Sequence, residues 1–167
     1  MLHQLNRVAE PYSVPVFSAG GFASLTATRL IADRALDRSV PTVVLHVGDF
    51  DPSGESIFEA ITQDAAAFVE ADRVIAPQRI EARRVALTRE QVAEHELPTA
   101  PAKTTDGRSK NWRGETCQLE ALPPDVLADI VNEAISDELD LDRYAGVLEL
   151  ERGDRAELLA LPPGGES

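Results

Sequence analysis

The stretch TVVLHVGDFDPSGESIFEAI, residues 42–61, constrains the fold more than any other part of the chain. Residues 42–48 are rich in β-branched side chains and apolar at odd and even positions alike, which predicts a strand buried on both faces in a parallel sheet covered by helices. Asp49 and Asp51 follow, then a turn at Pro52-Ser53-Gly54. From Ser53 to Ala71 the apolar residues Ile57, Ile61, Ala65 and Phe68 recur at helical spacing. This order places two carboxylates at the C-terminal end of a strand, the edge where open α/β sheets bind ligands.

The flanking segments extend the same alternation. Leu2, Leu5, Val8 and Ala9 form a helical stripe over residues 2–10 that Pro11 ends, and Val14–Phe17 reads as a short strand broken by Gly20-Gly21. Residues 22–38 return to helical spacing. A third strand is expected over residues 80–87, and Thr88-Arg89-Glu90-Gln91 has the pattern of a capping box opening a short helix. Pro98, Pro101 and Gly107 make residues 97–114 a long ordered loop, a kind of segment that tends to be functional in a compact domain. A last short strand is expected over 116–119, then a helix from Pro123-Pro124 to about Glu138 and a charged helix over 140–159. The predicted class is therefore α/β, with a mostly parallel central sheet flanked by helices. Its parts are an α/β domain over 1–122, a helical extension over 123–160 packed on it, and a flexible tail over 161–167.

Charge narrows the function. With 29 acidic and 16 basic side chains the formal net charge is −13, whereas a domain that grips phosphate backbone unaided carries a basic footprint. Residues 73–113 nonetheless concentrate Arg73, Arg79, Arg83, Arg84, Arg89, Lys103, Arg108, Lys110 and Arg113. This strip is either a solvated face or a local phosphate contact, with Lys103 and Arg108 as the phosphate-binding candidates. The single Cys117 permits no internal disulfide, no run reaches the roughly 18 apolar residues of a membrane span, and the N-terminus lacks a signal-peptide pattern. The expected location is cytoplasmic.

Several chemistries begin with closely spaced aspartates. A calcium loop counted from Asp49 meets Asp51, Ser53 and Gly54 in order, but has Ala60 where the bidentate glutamate belongs. A phosphatase of the haloacid-dehalogenase type also ends a strand in Asp-x-Asp. In that resemblance the first aspartate is the nucleophile and the second the acid/base. Pro52-Ser53 departs from its usual Gly-Thr pair, and an earlier strand and helix precede the motif. The plainest alternative makes the two aspartates a turn signal and a helix N-cap.

The motif VGDFDPSGESI, with VPVFSAGGFASLTATRL upstream, resembles the Toprim domain shared by topoisomerases, primases and related nucleases, and in particular the version in the A subunit of topoisomerase VI. Asp49, Asp51, Pro52 and Gly54 match its Asp-x-Asp-Pro-x-Gly pattern, and Thr28-Arg29 is reminiscent of the same group. Residues 86–127 are similar to the C-terminal half of stand-alone bacterial and phage Toprim-like proteins. The resemblance spans about residues 11–140 and implies a Rossmann-like fold with Asp49 and Asp51 on a magnesium (or manganese) ion. Gly54 would let the backbone approach an anion at the helix N-terminus.

It implies further an activity on nucleic-acid phosphodiesters, nuclease-like or topoisomerase-related, on DNA gripped weakly by this chain alone and with a protein partner. The family's third carboxylate, a glutamate ending the first strand, has no counterpart, because the chain opens on what corresponds to the first helix. Glu120 is the candidate catalytic substitute, and Glu55, nearer in sequence, is expected to head into the helix. A missing first strand would also leave a sheet edge open to homodimerisation. The alternative from another class is a catalytically degenerate module that binds a protein or a nucleotide.

Other residues imply less. His46 reads as a core histidine whose hydrogen bonds are satisfied, and His3 and His95 as surface residues. No Cys–His cluster has zinc spacing, and Ser18 and Ser24 lack the partners of a serine hydrolase. Trp112 is either a base-stacking platform or a hydrophobic clamp on its loop. Tyr12 and Tyr144 lack the winged-helix context of a topoisomerase nucleophile.

Overall fold

A computed structural model describes residues 1–18, 23–38, 40–72, 80–102, 112 and 114–161. Its elements are α1 (Leu2–Ala9), α2 (Ala23–Leu36), β1 (Thr42–Val47), α3 (Pro52–Asp72), β2 (Ile80–Ala86), α4 (Arg89–Glu94), β3 (Ala100–Pro101), β4 (Glu115–Thr116), α5 (Pro124–Ser136) and α6 (Leu141–Ala160). The class is mixed α/β, with six α-helices among the described residues. Among the described residues the parallel sheet has two strands, β1 and β2, and β3 pairs with β4 antiparallel. The chain divides into two compact units, Met1–Ile135 and Ser136–Ser167.

β1, α3 and β2 form the βαβ unit anticipated from residues 42–61. Pairing runs from Thr42 opposite Ile80 to His46 opposite Arg84, then shifts so that Val47 faces Ala86. Val85 is thus an extra residue on β2, an irregularity of the kind that re-aims side chains at strand ends. Beyond it the ladder continues through the Gly48 amide to the Ala86 carbonyl and the Leu87 amide to the Gly48 carbonyl, both 2.7 Å.

Helix α2 packs on α3 through small residues. Ala32, Ala35 and Val69 form one buried cluster, and Ile31, Ile61 and Ala65 another. Val44 of β1 and Ile80 of β2 pack against these clusters, so the helix pair covers the sheet here. Ala32, Ala35 and Ala65 are at most 1% exposed, and a methyl group at these positions lets the backbones approach closely. Leu87, Leu122 and Leu127 are the largest fully buried apolar side chains, each worth about 2 kcal/mol of burial. Elsewhere in this unit the Tyr12 hydroxyl donates to Asn132 Oδ1 at 2.7 Å, and Gln4 Nε2 donates to the Pro124 carbonyl.

Three expectations change. Residues 14–18 form no strand: Ser13 lies in the left-handed region (φ 55°), the Val14 amide bonds back to the Ala9 carbonyl, and Pro15 has no amide to give a ladder. The strand expected over 116–119 is the short Glu115–Thr116, because Leu119–Ala121 closes into a 3₁₀ turn. The loop over 97–114 contains β3, while Lys103, Arg108 and their neighbours lie outside the described residues.

The capping box forms as read: Thr88 accepts from the Gln91 amide at 3.3 Å and the Gln91 side chain accepts from the Thr88 amide at 3.0 Å. The second unit carries α6, whose N-cap Asp140 accepts from the Arg143 amide at 3.0 Å. No helix among the described residues is long and apolar enough to cross a membrane.

Candidate functional site

The two aspartates leave β1 at its C-terminal end, as the strand–turn–helix pattern requires, and each is fixed by a backbone amide. Asp51 is the N-cap of α3. Its Oδ1 accepts from the Gly54 amide at 2.6 Å, and Pro52 occupies the first helical position, where no amide is needed. Asp49 Oδ1 accepts from the Leu119 amide at 2.8 Å, a contact spanning seventy residues. Phe50 between them pairs with Cys117 through two backbone bonds, Phe50 amide to Cys117 carbonyl at 2.9 Å and the reverse at 3.0 Å. This bridge carries the 3₁₀ turn at Leu119 to the acidic block. The second oxygen of each aspartate has no hydrogen-bond partner among the described residues.

Gly54 is required by space. A Cβ there would stand 2.5 Å from the Asp49 carbonyl oxygen and 3.2 Å from Asp51 Oδ1. Any side chain at this position would push apart the two residues the turn brings together.

Arg84 completes the block. Its Nε donates to the Leu87 carbonyl at 2.7 Å, and its Nη2 donates to the Gly48 carbonyl at 3.3 Å and to the Asp49 carbonyl. Nη1 lies 3.1 Å from Glu55 Oε1, an ion pair whose alignment falls short of a hydrogen bond. The Arg84 side chain is 11% exposed, against 37% for Glu55. Burial lowers the guanidinium's proton affinity, and Glu55, Asp51 and Asp49 oppose that shift. Arg84 is thus a nearly buried cation paired with Glu55 and feeling the charges of Asp51 and Asp49, and it does not belong to a solvated face.

His46 is the neighbour of Arg84 across the sheet. Its ring stacks on Phe58 of α3 with centroids 4.8 Å apart, and Nδ1 is buried without a hydrogen-bond partner among the described residues. Burial, and then the charge of Arg84, push its pKa down to about 4. The expected satisfied core histidine is instead a neutral ring with an orphaned nitrogen.

Of the remaining candidates, Glu120 is exposed on the 3₁₀ turn. Its backbone neighbour Leu119 reaches Asp49, but the described residues contain no group of three or more His, Cys, Asp or Glu side chains able to hold a metal. Trp112 packs on Phe50 with centroids 5.0 Å apart and donates from Nε1 to the Glu115 carbonyl at 3.4 Å, the contacts of a clamp. The Arg89 guanidinium lies 5.2 Å from the Phe50 ring centre. Burial, and then Asp49, raise the pKa of the Cys117 thiol.

Among the described residues no strand precedes the motif, so of the objections to the phosphatase resemblance the earlier strand falls away, while the preceding helix α2 and Pro52-Ser53 stand. Sequence reasoning missed Arg84 because an arginine in a charged strip looks solvated. The available signal was its place late in the strand IEARRVA, where it competes with Val85 and Ala86 for burial. No protein-family model, no curated protein and no solved structure matches this chain.

Proposed function

We propose that this chain is a Toprim-like, Rossmann-like α/β module that acts at nucleic-acid phosphodiesters through a magnesium or manganese ion held by Asp49 and Asp51. One observation carries the reading: each aspartate has one oxygen locked by a backbone amide and leaves the other without a partner among the described residues. Outer hydrogen bonds of this kind orient ligating carboxylates before a metal arrives. The donor set fits magnesium, which takes one or two protein carboxylates and keeps waters or phosphate oxygens for the rest of its shell. When bound, the ion supplies Lewis-acid polarisation of a phosphate oxygen and stabilises charge on the leaving oxygen. Asp49 and Asp51 hold it, Gly54 keeps the turn tight, and Arg84 braces the strand end from behind. DNA is the substrate class, and with a charge of −13 the chain depends on a partner for much of its grip.

The test is nicking of supercoiled plasmid in magnesium or manganese. Wild type nicks, and Asp49→Asn and Asp51→Asn each abolish it. If the wild type does not cleave and binds manganese no better than the double variant, the reading is wrong. Hydrolysis of a generic phosphomonoester would favour the phosphatase instead.

A second reading is favoured by a different observation, the Arg84 guanidinium among Asp49, Asp51 and Glu55. Its charge already offsets part of the acid cluster, which suits a catalytically degenerate module that binds a protein or nucleotide partner. Retained partner capture by the Asp49→Asn/Asp51→Asn protein would support this version.

A further inference from the structure

We infer that Arg84 is a positioning residue that sets how tightly the Asp49–Asp51 pair takes a divalent cation, acting as a resident positive charge with which that cation competes. The inference rests on the cation-site reading of the two aspartates.

The guanidinium is anchored on the side of the acidic block that faces β2. Nε and Nη2 donate to three backbone carbonyls just past the ends of β1 and β2, those of Gly48, Asp49 and Leu87, so Arg84 cannot swing away without abandoning them. Its third nitrogen meets Glu55 at 3.1 Å, and an arginine stays protonated at any pH the fold survives. The shift in residue pairing after His46 gives the end of β2 its own course, and Arg84 sits directly before it.

A fixed cation here has two opposed effects on a dication. It steadies the Asp49 backbone, which favours binding, and as a nearby positive charge it repels the incoming ion, which opposes it. Repulsion dominates. The aspartate side chains are independently held by the Leu119 and Gly54 amides, so losing Arg84 leaves their orientation anchored. Coulomb interaction, by contrast, is strong at low exposure and falls only inversely with distance. Removing the charge therefore tightens cation binding, and keeping the charge without the forked geometry does not.

The experiment measures free manganese by electron paramagnetic resonance during titration of the full chain. Arg84→Gln is expected to bind manganese about tenfold more tightly than wild type, and Arg84→Lys to stay close to wild type. Manganese should also raise the thermal midpoint of Arg84→Gln more than that of wild type, since the ion replaces the lost charge. An Arg84→Gln affinity equal to or below wild type, or equal tightening in Arg84→Lys, overturns the inference. Asp49→Asn/Asp51→Asn binding manganese like wild type overturns the cation-site reading, and this inference with it.

A readout on wild type alone covers an Arg84→Gln that does not fold. Magnesium titration should move the Arg84 Nε–H nuclear magnetic resonance with the midpoint of metal binding. An unmoved resonance at saturating magnesium overturns the proposal.

Discussion

Arg84 donates from Nη2 to the backbone carbonyl of Asp49, the residue whose carboxylate accepts from the Leu119 amide at 2.8 Å. One residue is thus gripped from β2 through its main chain and from the 3₁₀ turn through its side chain. The acidic block is a junction of three segments distant in sequence, and its predicted responses follow from which tie is cut.

Arg84→Ala should be among the more damaging single changes. It leaves the carbonyls of Leu87 and Asp49 without this donor and the Glu55, Asp51 and Asp49 charges without their common counter-ion. A loss of about 3 kcal/mol is expected, as for breaking a buried ion pair from one side. Glu55→Ala, which removes a side chain that is itself 37% exposed, should cost well under half as much. Urea unfolding of both variants measures the asymmetry, and equal losses would contradict it.

Asp51 has a structural duty separable from any ligand role. Because Oδ1 caps α3 through the Gly54 amide, Asp51→Ala should destabilise the protein by about 1 kcal/mol. Asp51→Asn keeps an acceptor oxygen and should remain near wild-type stability while losing the charge. Thermal midpoints of the two variants separate the cap from the charge.

The two glycines of the motif region should differ in tolerance. Gly54→Ala drives a methyl against the Asp49 carbonyl and should cost about 2 kcal/mol, weakening metal binding along with stability. The atoms nearest a Gly48→Ala methyl are those of the His46 ring, at 3.0 Å for Cε1, and a side chain can give way where backbone cannot. Its cost should be visibly smaller in the same urea titration.

His46 should make stability depend on mildly acidic pH. Its folded pKa of about 4 lies below the ordinary 6.5, so between these values the unfolded chain binds the extra proton and stability falls as pH is lowered. The contribution is full above 6.5 and lost once pH passes below 4, amounting to about 2 kcal/mol after allowance for the ring's partial exposure. His46→Phe, which keeps the stack on Phe58, should flatten this segment of the pH–stability curve. A curve of unchanged slope would assign the dependence to other groups.

The local elements were legible in the sequence wherever one dominant periodicity held. The strand at 42–47, the helix after Pro52, the capping box at Thr88 and the helices near 124–136 and 141–160 all follow from patterns within a single segment. Val14–Phe17 misled because four apolar or β-favouring residues say nothing of a ladder partner, and Pro15 removes a donor one would need. The small extent of the parallel sheet among the described residues was likewise not readable from alternation alone.

By itself the sequence determined that Asp49 and Asp51 follow the end of a strand and that a helix opens behind them at the Pro52-Ser53-Gly54 turn, since turn chemistry and helix capping act over a few neighbouring residues. Only the tertiary structure decided what stands around those aspartates. It brought Leu119 to one carboxylate, drew Arg84 out of an ostensibly solvated strip into a pair with Glu55 behind the two aspartates, and left Glu120 exposed on the 3₁₀ turn. These contacts depend on strand register and on a bridge between Phe50 and Cys117, and register is fixed by packing across the whole unit. Charge along a chain is a local property, but the field at a carboxylate is set by whatever the fold places next to it.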